Sequence, residues 1–381
     1  MVADIIRKEL LHNGIILCSF ISAATGLNIG AGAIGPLRIL YDSSNYLHRD
    51  IQYHPEQPGR IDACIKAIVS YKTNVKIDLE LIDVSPFTSN QDLHEPFSEE
   101  ALNYARTLLC DVHTEELVMS LESKCRSSKN RRIKDGKDPC GFIGYLDPDT
   151  YLTTESFDVC LRAAACWIKS VDHVKHDLNY FSFALTRPPG HHATKSGPNG
   201  FCIFNFAAVA TLHAIKCGFK KITILDWDVH YGQGVADIIQ NYSNVRYISM
   251  HQYPAFPYQG EKRCIRGQHK NILTVPLPAD STWTCGYESA LKDHVLPFCS
   301  SIEWKPDLVI ICAGYDALLS DDLASCALTA NDYGKMTRFL RNHVGNDVKF
   351  VFGLEGGYQL NEGLPGGNLA DSIIETIKAL Q

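Results

Sequence analysis

The chain has 381 residues, 45% of them hydrophobic, with a formal net charge of −7 and a pI near 6.1. That is enough apolar material for a large core, and the acidic balance argues against a nucleic-acid binder held by bulk electrostatics. Fourteen cysteines are scattered without a Cys-x-x-Cys pair, which argues against a cysteine zinc cluster or a disulfide framework and for small buried hydrophobes in a reducing compartment.

In chain order, Gly14 to Leu37 is uncharged and follows Arg7 and Lys8, as in a signal peptide, yet Asp4 and Glu9 dilute the positive region. Gly, Ser, Thr and Asn make the run a poor membrane span. Residues 1–36 read as a tail or targeting remnant, and 37–381 as the folded domain. Arg38 to Tyr41 reads as a first strand, followed by a loop from Asp42 to Pro58 and a helix from about Gly59, where Ile61, Cys64, Ile65 and Ile68 keep helical spacing. Ile77 to Val84 is the next strand. Helices are expected near 98–110, 114–124 (Thr114 as N-cap) and 156–170. The basic stretch Lys124, Arg126, Lys129, Arg131, Arg132, Lys134 and Lys137 reads as a solvated surface loop; the sharper alternative is a nuclear-import signal or an acidic-partner contact.

Phe181 to Thr186 is a strand and Asn205 to Cys217 a helix stopped by Gly218. Strands recur at 222–226, 245–250, 272–277, 308–312 and 348–354, with helices near 281–296 and 330–344, the latter capped by Thr329 or Asn331. This alternation predicts one large α/β domain: a mostly parallel central sheet with helices on both faces.

Four loops after predicted strands carry the chemistry. They are Arg187-Pro-Pro-Gly-His191-His192; Asp226-Trp-Asp228-Val-His230; Asp316 in Ala-Gly-Tyr-Asp-Ala; and Leu354-Glu-Gly356-Gly357-Tyr358. Singly each has an ordinary explanation: a lone Asp after a strand is more often a helix N-cap than a ligand. Together they supply metal ligands with an open position, bases near a bound water and an oxyanion donor. In open parallel sheets ligands sit beyond the carboxyl ends of strands, so all four point to one crevice.

These motifs resemble those of the zinc-dependent histone deacetylase family, which includes acetylpolyamine amidohydrolases and shares the arginase/deacetylase fold. The resemblance runs from about Arg38 to the C-terminus and takes in His54-Pro-Glu-Gln-Pro-Gly-Arg, Asp147-x-Asp149-Thr-Tyr, Gly200-Phe-Cys-Ile-Phe-Asn and Ile248-Ser-Met-His251. It implies a deacetylase catalytic domain over 37–381. Asp228, His230 and Asp316 would bind one catalytic zinc ion, with His192 as general base and His191, hydrogen-bonded to Asp226, as its electrostatic partner. Tyr358 would stabilise the oxyanion. Phe201 and Phe256 would wall an acyl-lysine channel, the Gly200 carbonyl would accept the substrate amide, and Asp149 would hold substrate backbone at the rim. Asp226, Asp228, His230, Ser249 and Met250 would hold a structural potassium ion.

Two positions depart from the family pattern. Tyr231 stands where an imidazole is usual, and Gln233 where Asn or Asp is usual; Gln233 is expected to contact His192 and, lacking charge, to leave its pKa lower. Leu323 replaces the Glu of polyamine-selective members, which favours acyl-lysine in proteins or peptides as substrate. The Trp-Asp-Val-His and Leu-Glu-Gly-Gly-Tyr variants look more like class II members and their bacterial relatives than class I, and Tyr358, being Tyr and not His, argues against the weakly active subgroup.

The competing readings are a small-molecule deacetylase acting on acetylated amines, a silent acyl-lysine-binding scaffold, and an arginase-like enzyme with two manganese ions. The scaffold should lack a ligand or the Tyr, and the arginase-like enzyme needs further carboxylates. The expected partner is an acetylated protein or peptide, with neither nucleic acid nor membrane. The expected location is cytoplasmic or nuclear, or an organelle if residues 1–36 target one. Oligomeric state has no signature in the sequence.

Overall fold

The computed structural model describes residues 35–75, 77–87, 93–176 and 180–381. Apart from its last two residues, the expected tail 1–36 lies outside the described residues.

Within the described residues, a ten-stranded sheet has the order β3-β2-β1-β6-β12-β11-β7-β8-β10-β9. The strands are β1 Leu37–Tyr41, β2 Leu79–Asp83, β3 Leu93–His94, β6 Phe181–Leu185, β7 Ile222–Asp226, β8 Val245–Gln252, β9 Cys264–Arg266, β10 Ile272–Leu277, β11 Leu308–Ala313 and β12 Lys349–Leu354. Every pairing is parallel except that of the edge strand β9 with β10. A separate antiparallel pair joins β4 (Phe142–Tyr145) to β5 (Tyr151–Thr153).

The central strands are apolar throughout because both faces are covered. In β11, Leu308, Ile310 and Cys312 face one core, while Val309, Ile311 and Ala313 face the other, the two-residue alternation of a pleated strand. The first core is closed by helices Glu99–Val112, Glu115–Lys134, Ser156–His176 and Phe206–Lys216. The second is closed by Gly59–Val75, Ala330–Val344 and Leu369–Leu380. The expected α/β architecture with helices on both faces is what the structure has.

Local expectations fare unevenly. Asn205 caps its helix by accepting from the Ala208 amide, and Thr329 forms a capping box with Asp332. The basic stretch is not a loop: helix Glu115–Lys134 runs through it to Lys134. Val118, Leu121 and Cys125 are buried at helical spacing, and three basic residues in the last turn complement the helix dipole. The helix expected near 281 starts at Tyr287 and continues through a π segment, Leu291–Val295, to Cys299. No described helix is long and apolar enough to cross a membrane.

Candidate active site

Strands β6, β12, β11 and β7 are neighbours in the sheet, and the four loaded loops leave their carboxyl ends. The parallel register alone therefore brings together residues more than a hundred positions apart.

Asp228, His230 and Asp316 are buried, and one ligand atom from each lies within 4.8 Å of the others. His230 Nδ1 is 3.3 Å from Asp228 Oδ1 and 3.0 Å from Asp316 Oδ2. Backbone amides aim the carboxylates: Asp228 accepts from His230 N at 2.9 Å and Gly356 N at 2.8 Å, and Asp316 accepts from Val229 N at 3.0 Å. A side chain on Gly356 would strike both carboxylates, so only glycine lets that amide approach. Two buried carboxylates facing one imidazole are costly without a cation, and an O, O, N set with an open position suits zinc. The residues fit the metal that the family implies.

His191 Nδ1 is 3.1 Å from Asp226 Oδ2, and its Nε2 is 3.7 Å from Asp228 Oδ1. Burial works against charge on His191, but Asp228 and Asp226 outweigh it and push its pKa up to about 10. His192 is the opposite case: burial, reinforced by His191 and His230, holds it well below the usual imidazole range. Its Nδ1 is 2.6 Å from Gln233 Oε1, and Gln233 Nε2 in turn donates to Asn199 Oδ1 at 2.9 Å. The predicted contact between Gln233 and His192 is present.

Tyr358 reaches the site over Gly357, whose φ of +112° only glycine adopts readily. Arg60 donates to the carbonyl of Gly357 at 2.7 Å and to that of Glu355, and its guanidinium lies 4.7 Å from the Tyr358 ring centroid. Asp321 accepts from the Tyr358 and Gln359 amides at 2.7 and 3.2 Å.

The remaining predicted residues form a passage. Asp149, His192, Gly200, Phe201, His230, Phe256, Leu323 and Tyr358 line one cavity of about 180 Å³. Gly200 and Phe201 both have left-handed backbone, at φ +51° and +69°, a costly conformation for Phe. The turn before β5 holds it in place: Asp147 accepts from Gly200 N at 3.1 Å, and Thr150 Oγ1 from Phe201 N at 2.9 Å. Burial and Asp147 together push Asp149 up to about 6. For the potassium set, Asp226 lies opposite Ser249 in the β7–β8 register, next to Met250. Tyr231 is buried against His251, with ring centroids 4.9 Å apart, and its hydroxyl accepts from Arg266. It does not line the cavity.

Several positioning residues had no assigned role at the level of sequence. The Glu355 carboxylate accepts from the Gly190 and His191 amides at 2.6 and 3.0 Å and so aims the histidine pair. Glu56 takes a two-pronged ion pair from Arg187 at 2.6 and 2.7 Å, and Arg187 also donates to the carbonyls of Asn45 and His48. Glu56 and Arg60 belong to the His54–Arg60 motif, Arg187 to Arg-Pro-Pro-Gly, and Glu355 to Leu-Glu-Gly-Gly-Tyr; those motifs were the available signal. Tyr247, which donates to Asp226 Oδ2 at 2.8 Å, and Asp321 lie outside any motif.

A ten-stranded, mostly parallel sheet with this centre at its carboxyl edge defines the deacetylase class of hydrolase. The histone deacetylase domain family matches residues 54–366, and the chain belongs to that family. It is 40% identical to an uncharacterised protein of Synechocystis over 90% of this chain and 98% of the other. It is 35% identical to a probable deacetylase of Archaeoglobus fulgidus over 68% of each. It is 30% identical to the chloroplastic histone deacetylase 14 of Arabidopsis thaliana over 98% of this chain and 84% of that one. The crystal structure of the HDA15 HD domain superposes with a TM-score of 0.72 at 27% identity, covering 91% of this chain and 89% of that one.

Proposed function

We propose that this deacetylase removes acetyl, or a related short acyl group, from the side-chain amine of lysine in proteins or peptides, with one zinc ion held by Asp228, His230 and Asp316. The observation that carries the reading is the single narrow cavity in which His192, Tyr358 and His230 meet between Phe201 and Phe256.

When bound, zinc supplies Lewis acidity, making water nucleophilic at neutral pH and polarising a carbonyl. The two phenyl rings suit an extended aliphatic stem and exclude bulk water. In this reading the Gly200 carbonyl accepts the substrate amide proton and Asp149 holds substrate backbone, both residues lining the cavity. With Nδ1 engaged by Gln233, His192 keeps Nε2 free to take a proton from water and later return it to the leaving amine. His191, kept charged by Asp228 and Asp226, favours negative charge developing nearby. The Tyr358 hydroxyl donates to the oxyanion.

Leu323, 36% exposed at the cavity, offers nothing to a cationic amine and supports acyl-lysine over acetylpolyamines. A structural potassium ion at Asp226, Asp228, His230, Ser249 and Met250 rests on the family resemblance, with the oxygen-rich Asp226/Ser249 pairing in its favour. Residues 1–36 are read as a segment preceding the catalytic domain, and the chloroplastic relative favours organelle targeting; fluorescence of residues 1–36 fused to a reporter tests this. The substrate is tested by comparing kcat/KM for an acetyl-lysine peptide, acetylspermidine and an N-acetylarylamine. Preference for the peptide is expected, and preference for either small amine would reassign the substrate.

A further inference from the structure

A second cluster with mixed donor chemistry lies away from the catalytic loops. Asp172 is near the carboxyl end of helix Ser156–His176; His213 is in the last turn of Phe206–Lys216, and Cys217 is its C-cap. These helix ends precede β6 and β7, so they belong to the amino-terminal edge of the parallel strands. The catalytic loops leave the opposite edge, a strand length of roughly 17 Å away.

One nitrogen is the focus. His213 Nε2 is 2.8 Å from Asp172 Oδ1 and 3.3 Å from Cys217 Sγ, and the three donor atoms all lie within 4.8 Å of one another. Zinc–nitrogen and zinc–sulfur bonds of about 2.0 and 2.3 Å set tetrahedral donors roughly 3.3–3.6 Å apart. Cys217 Sγ is also 3.8 Å from His213 Nδ1, so the sulfur lies over the ring face, and a turn of its side chain towards Nε2 brings the three donors onto one ion. The other ring nitrogen is already oriented: His213 Nδ1 is 3.0 Å from the Tyr104 hydroxyl. A phenol can accept as well as donate, so the ring can yield its Nε2 proton to a metal and stay oriented through Nδ1–H, the outer hydrogen bond typical of metal-bound imidazole. His213 and Cys217, four residues apart, share one face of the helix, and the carboxyl ends of both helices carry the negative pole that favours a cation. Asp172 is about one-third exposed, which leaves a route in and room for water as a fourth ligand.

We infer that Asp172, His213 and Cys217 form a second metal site, selective for a borderline-soft divalent ion of the zinc class, that ties helix Ser156–His176 to helix Phe206–Lys216. The thiolate sets the selectivity, since nitrogen and sulfur donors disfavour magnesium and calcium. Binding displaces the thiol proton and the Nε2 proton to solvent, so affinity falls in acid. Burial opposes charge on His213, but the hydrogen bonds to Asp172 and Cys217 outweigh it and lift its pKa to about 9; the ion therefore competes with a firmly held proton. The site is independent of the deacetylase reading.

The test is metal content of the full-length protein after equilibration with zinc and removal of free ion, together with absorption of the cobalt-loaded protein. The catalytic ligands include no sulfur, so a near-ultraviolet thiolate-to-cobalt band reports on the second cluster. The wild type is expected to hold two zinc ions and to show the band. Cys217→Ser and, separately, Asp172→Asn, each with wild-type circular dichroism, should hold one, and the first should lose the band. A wild type that holds no more zinc than Cys217→Ser, absence of the band, or a band that survives Cys217→Ser would overturn the site.

Discussion

His192 Nδ1 and Gln233 Oε1 are 2.6 Å apart, so the amide oxygen accepts the Nδ1 proton and the other ring nitrogen is left as the base. The acceptor is neutral. Changing Gln233→Glu keeps the reach and adds a negative charge, which favours the protonated imidazole and should raise the His192 pKa by about one unit or more. A general base is active only when deprotonated, so the acid limb of the kcat/KM profile should move to higher pH by that amount. An unmoved limb would show that Gln233 does not set the protonation of the base.

Tyr358 lies at the cavity beside Phe201, with ring centroids 5.6 Å apart. Tyr358→Phe removes only the hydroxyl. Loss of one oxyanion donor costs about 10²–10³ in kcat, while KM and zinc content should stay near wild type. A loss below tenfold would take the phenol out of the transition state.

Leu323 is the residue on which the polyamine question turns. Leu323→Glu places a carboxylate at the half-exposed mouth, where an ion pair with a cationic amine is worth up to ~1 kcal/mol. The ratio of kcat/KM for acetylspermidine to that for an acetyl-lysine peptide should rise about fivefold. No change in the ratio would mean that this side chain does not contact the distal part of the substrate.

The parts of the fold and site that were legible in sequence share a cause. β6, β7, β11 and β12 are covered on both faces, so each is a short apolar run, and each ends in a polar motif with no use inside a core. The separate pair β4–β5 was not visible because its strands have only four and three residues, too few to show an alternation. The helix through Arg126 and Lys134 was hidden by its charge, since only Val118, Leu121 and Cys125 mark its inner face. The Asp226–His230 cluster and Asp316 could be placed at one crevice because both strands end alike, and the choice of Asp228, His230 and Asp316 among them came from the family resemblance. Partners such as Glu56 and Arg187, 131 positions apart, meet only through the strand order, and spacing along the chain says nothing about that order. Tyr231 faces His251 and Arg266 and not the cavity, a placement that spacing along the chain does not reveal.

Metal removal should act on stability as well as turnover. Without a cation, Asp228 and Asp316 confront each other in a buried setting, a costly arrangement. An ion at 1,000 times its Kd stabilises the folded state by about 4 kcal/mol. In a Cys217→Ser background, chelation should abolish turnover and lower the melting temperature, and one equivalent of zinc should restore both. Asp316→Asn should blunt the zinc dependence of melting. A melting temperature indifferent to chelation would remove the ion from this cluster.

The Glu56–Arg187 pair gives an acid-stability prediction that does not involve the metal. Both side chains are fully buried. Burial pushes the Glu56 carboxyl up, but Arg187, His48 and Arg60 outweigh it and hold its pKa at about 2, below the ordinary 4.5. A carboxyl with a depressed pKa stabilises the fold fully above its unfolded value, and that contribution fades as pH falls from 4.5 towards 2. Glu56→Gln strands the Arg187 charge inside the protein, a change that destabilises by about 3–5 kcal/mol at neutral pH. An exposed pair such as Glu122–Arg126 is worth under ~1 kcal/mol, so Arg126→Ala serves as the control. Urea unfolding of wild type and Glu56→Gln at pH 7, 5, 4 and 3 should show a large gap that is constant down to pH 5 and narrows below it. A gap that stays constant to pH 3 would show that the ionised carboxylate at position 56 is not what holds the loop Asn45–His54 against the strand that delivers His191 and His192.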